Sequence, residues 1–203
     1  GHYIDGSVTY VDAFDGSGAT IVPDAPRQTT HQGMPVYWNI EDFRPGGSIA
    51  AAADAEGHYH PHNESKWNFG GSGAVVDPGL HYCAGDVSLQ GSGMIGYNVT
   101  IVAEGNIDLS GSGVVFTPWI TQGIPLNFFS NMSSSNKGFD FTGSGNTGGT
   151  TYVPQGHIKL TGQGGSITGA FYGDSVMVSG SGSTIEAADI VKEVTVAQEQ
   201  DGY

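Results

Sequence analysis

Val87-Ser88-Leu89-Gln90-Gly91-Ser92-Gly93 is followed by Ile107-Asp108-Leu109-Ser110-Gly111-Ser112-Gly113. The same form, apolar-x-apolar-x-Gly-x-Gly, returns at Phe139, Ile158 and Val176. The first glycines stand at 91, 111, 143, 162 and 180, which are 20, 32, 19 and 18 positions apart. A unit repeated at nearly constant spacing marks a solenoid, in which each repeat is one coil stacked on the last. The alternation has a period of two, so the unit is a strand with one face inward. Val87 and Leu89, with their equivalents in each repeat, point into the core. Ser88, Asp108, Asp140, Lys159 and Met177 form an outward column. Each Gly-Ser-Gly supplies the positive φ of a corner. A helix is excluded, because each of the 34 glycines would cost about 1 kcal/mol relative to alanine there. The fold class predicted is all-β, a β-solenoid (β-helix) with coils of about 20 residues.

Working outward from this core, residues 1–203 read as a single β-solenoid domain with two interruptions. Val8 to Phe14 leads into Gly16-Ser17-Gly18, and Trp67-Asn68-Phe69 into Gly71-Ser72-Gly73, giving two further coils. Between them, residues 23–66 show no repeat and read as a flap against the solenoid, with a short helix near Ile49 to Glu56. The long interval places an insertion at 114–138, whose Ile124-Pro125-Leu126-Asn127-Phe128-Phe129 reads as a strand before a Ser/Asn-rich tip. Residues 186–203 are assigned to a closing strand near Val191 to Ala197 and a tail.

Net charge is −14, and only six Lys and Arg are scattered through the chain. No basic patch exists to neutralise phosphates, which argues against nucleic acid, anionic polysaccharide or an anionic membrane as the main partner. No apolar run approaches the roughly 18 residues of a membrane span. Cys83 stands alone, so it has no partner for an internal disulfide or a cysteine-based metal site, and it reads as a small buried hydrophobe.

Several strings resemble the C-terminal glycine-rich region of TadG-like (Tad/type IV pilus-assembly-associated) surface proteins of prokaryotes. They are Trp38-Asn39-Ile40-Glu41-Asp42-Phe43-Arg44-Pro45-Gly46-Gly47, Gly79-Leu80-His81-Tyr82 leading to Gly85-Asp86-Val87, Val99 to Gly105, and Gly173 to Gly182. The likeness runs in order from about Gly6 to Ile185. It implies an extracellular or cell-surface, pilus-related role, and it carries over no catalytic residues and no cofactor.

Candidate chemistry is sparse. His58, His60 and His62 alternate along one extended segment, so three imidazoles face one way in a pattern that suits zinc, copper or nickel. Solvated or locally hydrogen-bonded histidines are the preferred reading, because polar loops collect histidines freely, and metal binding is the alternative. Asp108 and Asp140 stack on adjacent coils, but two carboxylates are too few for calcium, and Lys159 is a simpler neutraliser. Asn63-Glu64-Ser65, Asn98-Val99-Thr100 and Asn131-Met132-Ser133 match the glycosylation acceptor pattern; Asn131, at a polar tip, is the one expected to carry a glycan. Trp38, Trp67 and Trp119 could build a sugar platform, although Trp67 falls at an inward position.

The expected function is non-enzymatic. A solenoid ends in unpaired strand edges, so the leading expectation is an extracellular filament or pilus subunit that self-assembles head to tail by strand pairing, with the termini making the joint. The competing expectation is a monomeric surface or pilus-tip adhesin that binds a glycan or another surface or pilus protein. A β-helix polysaccharide enzyme is a remote third, since no repeated cluster of acids with a basic residue is present.

Overall fold

The computed structural model of the chain describes residues 38–186 except 122–123, together with the backbone of four short strands nearer the N-terminus. Those four are β1 (His2–Asp5), β2 (Thr9–Tyr10), β3 (Ala19–Val22) and β4 (Arg27–Gln28). A 3-10 turn (Ile40–Asp42) and helix α1 (Ser48–Ala55) follow. The coils begin with β5 (Tyr59–His62), β6 (Lys66–Gly70), β7 (Gly79–Cys83), β8 (Asp86–Gln90), β9 (Ile95–Gly96) and β10 (Val99–Ala103). They continue in β11 (Ile107–Phe116), β12 (Trp119–Thr121), β13 (Ile124–Ser130) and β14 (Ser134–Glu186), the last a continuous extended run that turns through successive coils.

Among the described residues all strand pairings but that of β12 with β13 are parallel, as expected where each coil lies on the next, and they define the predicted β-solenoid. One face stacks β6, β8, the start of β11 and 139–142 of β14. A second stacks Val75, β9, the end of β11 and 145–147. The third stacks β5, β7, β10, β13 and 150–152. On the first face Trp67, Val87, Ile107 and Phe139 share one inward column, and Phe69, Leu89, Leu109 and Phe141 share the next. Both columns enter one apolar core with Ile101, Phe128, Val114 and Phe116 from the other faces. The last predicted repeat departs from this pattern: Val178 packs on the core, but Val176 is exposed.

At the 111–113 corner the two glycines do different jobs. Gly113 has φ +66 with open space where a Cβ would stand, so it serves the turn. Gly111 stands directly over Gly91, and a Cβ there would lie 1.8 Å from the Gly91 carbonyl oxygen. The first glycine therefore lets coils approach to ladder spacing, a role that the reading of both glycines as turn residues missed.

Residues 114–138 are mostly coil rather than added structure. Val114 to Phe116 and β13 are regular members of the second and third faces. The extra length lies mainly in a short arm, where β12 runs antiparallel to the start of β13, and in the turn after Ser130. The flap is likewise shorter than 23–66, because β5 and Lys66 already belong to the first coil. Its described part, 38–58, runs along the outer side of the third face. There Trp38, Ile40, Phe43, Ile49 and Ala53 form a second core with Leu80, Tyr82, Val102, Leu126, Phe129 and Tyr152. Trp38 packs edge-on to Tyr152, Phe43 edge-on to Phe129, and the Tyr59 hydroxyl donates to the Phe43 carbonyl. The strap thus spans from the fifth coil back to the first.

The N-terminal strand lies at the opposite end from the coil that follows it in sequence. Tyr3, Ile4 and Asp5 pair in parallel with Thr184, Ile185 and Glu186, and β3 pairs on β1. Strands β2 and β4 form a separate two-stranded sheet. Most of the Val8–Phe14 segment and the closing strand near Val191 lie outside the described residues.

Replacing Gly113 by alanine should cost about 1–2 kcal/mol, the strain of a left-handed residue. Gly111→Ala should cost clearly more, because it forces two coils apart. Urea unfolding of the two variants checks the order, and equal losses would refute the division of roles.

Candidate functional site

A parallel ladder leaves half of the backbone polar groups of its outermost strand without an internal partner. The first coil is such an end: β5 pairs only with β7 and β6 only with β8 among the described residues. The Asp86 amide donates to the Ser65 carbonyl, and the Gly71 amide to the Gln90 carbonyl. Ladder alternation then turns the N–H and C=O of Lys66, Asn68 and Gly70 outward from the stack. On β5 the Leu80 amide donates to the His58 carbonyl and that of Ala84 to the His62 carbonyl. The same alternation points the nitrogens of Tyr59 and Pro61 to the free side. Pro61 therefore disrupts nothing within the sheet; it occupies an edge position where no donor is used internally.

Register carries His60 and His62 inward, where His60 stands over His81 and His62 over Cys83. Their rings close the core at this end as a stacked block. His60 and His81 lie 4.5 Å apart between centroids, His62 and Trp67 3.9 Å, and Trp67 and His81 5.1 Å at an angle of 2°. His62 Nε2 is 3.1 Å from His81 Nδ1, His81 Nε2 is 2.8 Å from the Asp77 carbonyl oxygen, and His60 Nε2 is 3.1 Å from that of Pro78. A carbonyl only accepts, so His81 carries its proton on Nε2 and accepts from His62 Nε2–H through Nδ1. Burial drives His81 down to about 4, while its bond to Asp77 opposes this and the neighbouring imidazoles add to it. Burial also lowers His62, against the pull of Glu64.

The sequence reading grouped His58, His60 and His62 as metal ligands. The structure leaves His58 exposed and brings His81 to the other two. Nearly parallel rings whose Nε2 atoms are already hydrogen-bonded do not converge on one ion. Among the described residues no set of three His, Cys, Asp or Glu side chains is placed to hold a metal. His81 escaped the sequence reading because it lies 19 residues beyond His62. Its place in the sequence, at an inward position of the next coil, was the available signal.

Other candidates are structural. Glu104 anchors the strap: Arg44 Nε donates to it at 2.6 Å, the Tyr82 hydroxyl at 2.8 Å and Asn131 Nδ2 at 3.2 Å, and Arg44 also pairs with Glu41. Burial raises the Glu104 carboxyl, but these donors outweigh it and hold the group below its ordinary value. Asn131 is half-buried, so a glycan on Nδ2 would displace its bond to Glu104. Trp38, Trp67 and Trp119 each pack on one of the two cores and form no platform. Cys83 is buried in the first core. Asp108 and Asp140 are in register, and burial and then the Asp140 charge raise Asp108; Lys66 is the cation that acts on it. A shallow, open depression of about 290 Å³ beside the free edge is lined by Lys66, Asn68, Phe69, Gly70, Ser88 and Gln90, without a carboxylate.

Comparison with protein-family models, curated proteins and solved structures gave no match. Among the described residues no helix is long and apolar enough to cross a membrane.

Stability should fall with acid through His81. Above about pH 6.5 the residue is neutral folded or unfolded; between there and about 4 only the unfolded chain takes the proton. The loss approaches roughly 3 kcal/mol and levels off below about 4. Urea unfolding from pH 7 to 4 should be shallower in His81→Asn than in the parent chain, and identical slopes would exclude this account.

Proposed function

We propose that the chain is a non-enzymatic structural subunit of a prokaryotic surface filament or pilus-like appendage, stacking head to tail by parallel strand pairing. The observation that carries this reading is the pair of unpaired edges at opposite ends of one parallel stack. The first coil presents Lys66, Asn68 and Gly70, and the far end presents β3, whose free side has no partner among the described residues. Both ends have the same strand sense, so a second copy continues the ladder. Val75, 59% exposed, stands at the same open end on the second face. The likeness to TadG-like surface proteins points to the same setting.

The energetics limit the joint. Lys66, Asn68 and Gly70 offer six backbone groups, Tyr59 two and Pro61 its carbonyl, each bond worth about 1 kcal/mol net, whereas association costs about 4–15 kcal/mol. Apolar contact by Val75 and the ring block must add to the pairing. Strand β1 is used within its own chain at the far end, so the joint needs no donated terminal strand. A second reading, a monomeric surface module for a glycan or protein, is favoured by Pro61 and Lys66, because proline and lysine blunt edges in natural sheets.

Asn68→Pro removes an outward N–H without touching an internal ladder bond. It should leave the fold intact by circular dichroism and abolish filaments in negative-stain microscopy. Because copies charged at −14 repel, assembly should also rise as salt goes from about 0.01 M to about 0.15 M, where screening shortens from about 30 to about 8 Å. Single particles at every concentration and salt would transfer the assignment to the monomeric module.

A further inference from the structure

At the first coil the apolar columns end in titratable rings. His60, His62 and His81 occupy inward positions, and His62 lies flat on Trp67. Any copy stacked on this coil covers them. This inference rests on the head-to-tail reading and adds its control: we propose that the imidazole block is an acid-operated release, allowing the joint when neutral and opening it when protonated.

The chemistry follows from the hydrogen bonds. His81 has Nε2–H on the Asp77 carbonyl, so an added proton must go to Nδ1, where it faces the Nε2–H of His62 at 3.1 Å. That replaces an acceptor by a donor and breaks the contact, but only toward pH 4, so between about pH 7.5 and 5 the release falls to His62. On His62 the proton goes to Nδ1 and preserves the bond, but it places a cation between Trp67 and the joint. In a free end that charge is half solvated; beneath a second copy it is not. A joint that excludes the charged form is weakened by protonation to the same degree, by linkage. Glu64 attracts the charge on His62, Asp77 attracts that on His81, and His60 repels both. The burial that already lowers both imidazoles in the single chain acts in the same direction.

Acid has an opposing effect elsewhere. As the pH falls toward the pI of about 4.5 the overall −14 shrinks and repulsion between copies falls, which favours assembly. The two effects differ in sign and in location, so they separate experimentally.

The test is sedimentation and negative-stain imaging of the full chain at about 0.15 M salt, where the general repulsion is screened. Samples run from about pH 7.5 to about pH 5, the window around ordinary imidazole titration. Filaments should form at the upper end, and the joint should weaken up to about tenfold per pH unit below the His62 titration. His62→Phe keeps a ring on Trp67 without a titrating nitrogen, and His60→Gln with His62→Gln removes two imidazoles; each should remove most of the acid loss. Filaments that persist unchanged at pH 5, or variants that lose them as the parent does, overturn the release while leaving the filament reading intact. Absence of filaments at every pH overturns both.

Discussion

Backbone amides and carbonyls in a coil are satisfied by the coil above and the coil below, and an end coil lacks one of the two. That requirement organises the ends of this molecule. At the far end, the chain uses its own N-terminal strands, laying Tyr3 to Asp5 against Thr184 to Glu186 and β3 beyond them. At the near end nothing among the described residues pairs with the outer edge of β5 or of β6. The near end instead carries Pro61, whose missing donor is on the free side, and a lysine on the neighbouring strand.

The strap ties the coils between the first and the fifth together. Without it, the outward side of the third face would expose Leu80, Tyr82, Val102, Phe129 and Tyr152, an apolar strip across several coils. Solenoids are stabilised chiefly between neighbouring repeats, so they can fray from either end. A strap that touches Tyr152 at Trp38 and Tyr59 at Phe43 couples nonadjacent coils. The Arg44–Glu104 contact fixes its middle, and Tyr82, whose hydroxyl burial pushes up to about 12, stays protonated to donate to the same carboxylate.

The lumen of the solenoid was legible because alternation with a period of two writes inward positions directly into sequence. Val87 with Leu89 and Ile107 with Leu109 stand in register as read. The helix at Ser48–Ala55 was legible from the alanine run after Gly46-Gly47. What sequence did not disclose was partnership between distant segments. His60 meets His81 only through the register of β5 on β7, and β1 meets 184–186 only because the strap returns the chain along the stack. The glycine columns show the same limit: composition shows that a side chain is excluded, but only stacking shows whether φ or the neighbouring carbonyl excludes it. Polar side chains at inward positions were the hardest to read, since a histidine in a plug and a histidine in a metal site have the same spacing.

An end edge that were long and apolar would associate without control, and one fully blunted would not associate at all. The near end lies between these limits. Pro61 removes a donor from β5, which leaves Tyr59 and three outward residues of β6 to carry the pairing, an edge too short to hold a joint unaided. The remaining contact must come from the ring block and Val75. In that block the largest apolar surface, Trp67, is covered on one face by an imidazole. A joint built this way places a group that can change charge where desolvation matters most, so weak pairing and titratable contact together make association reversible.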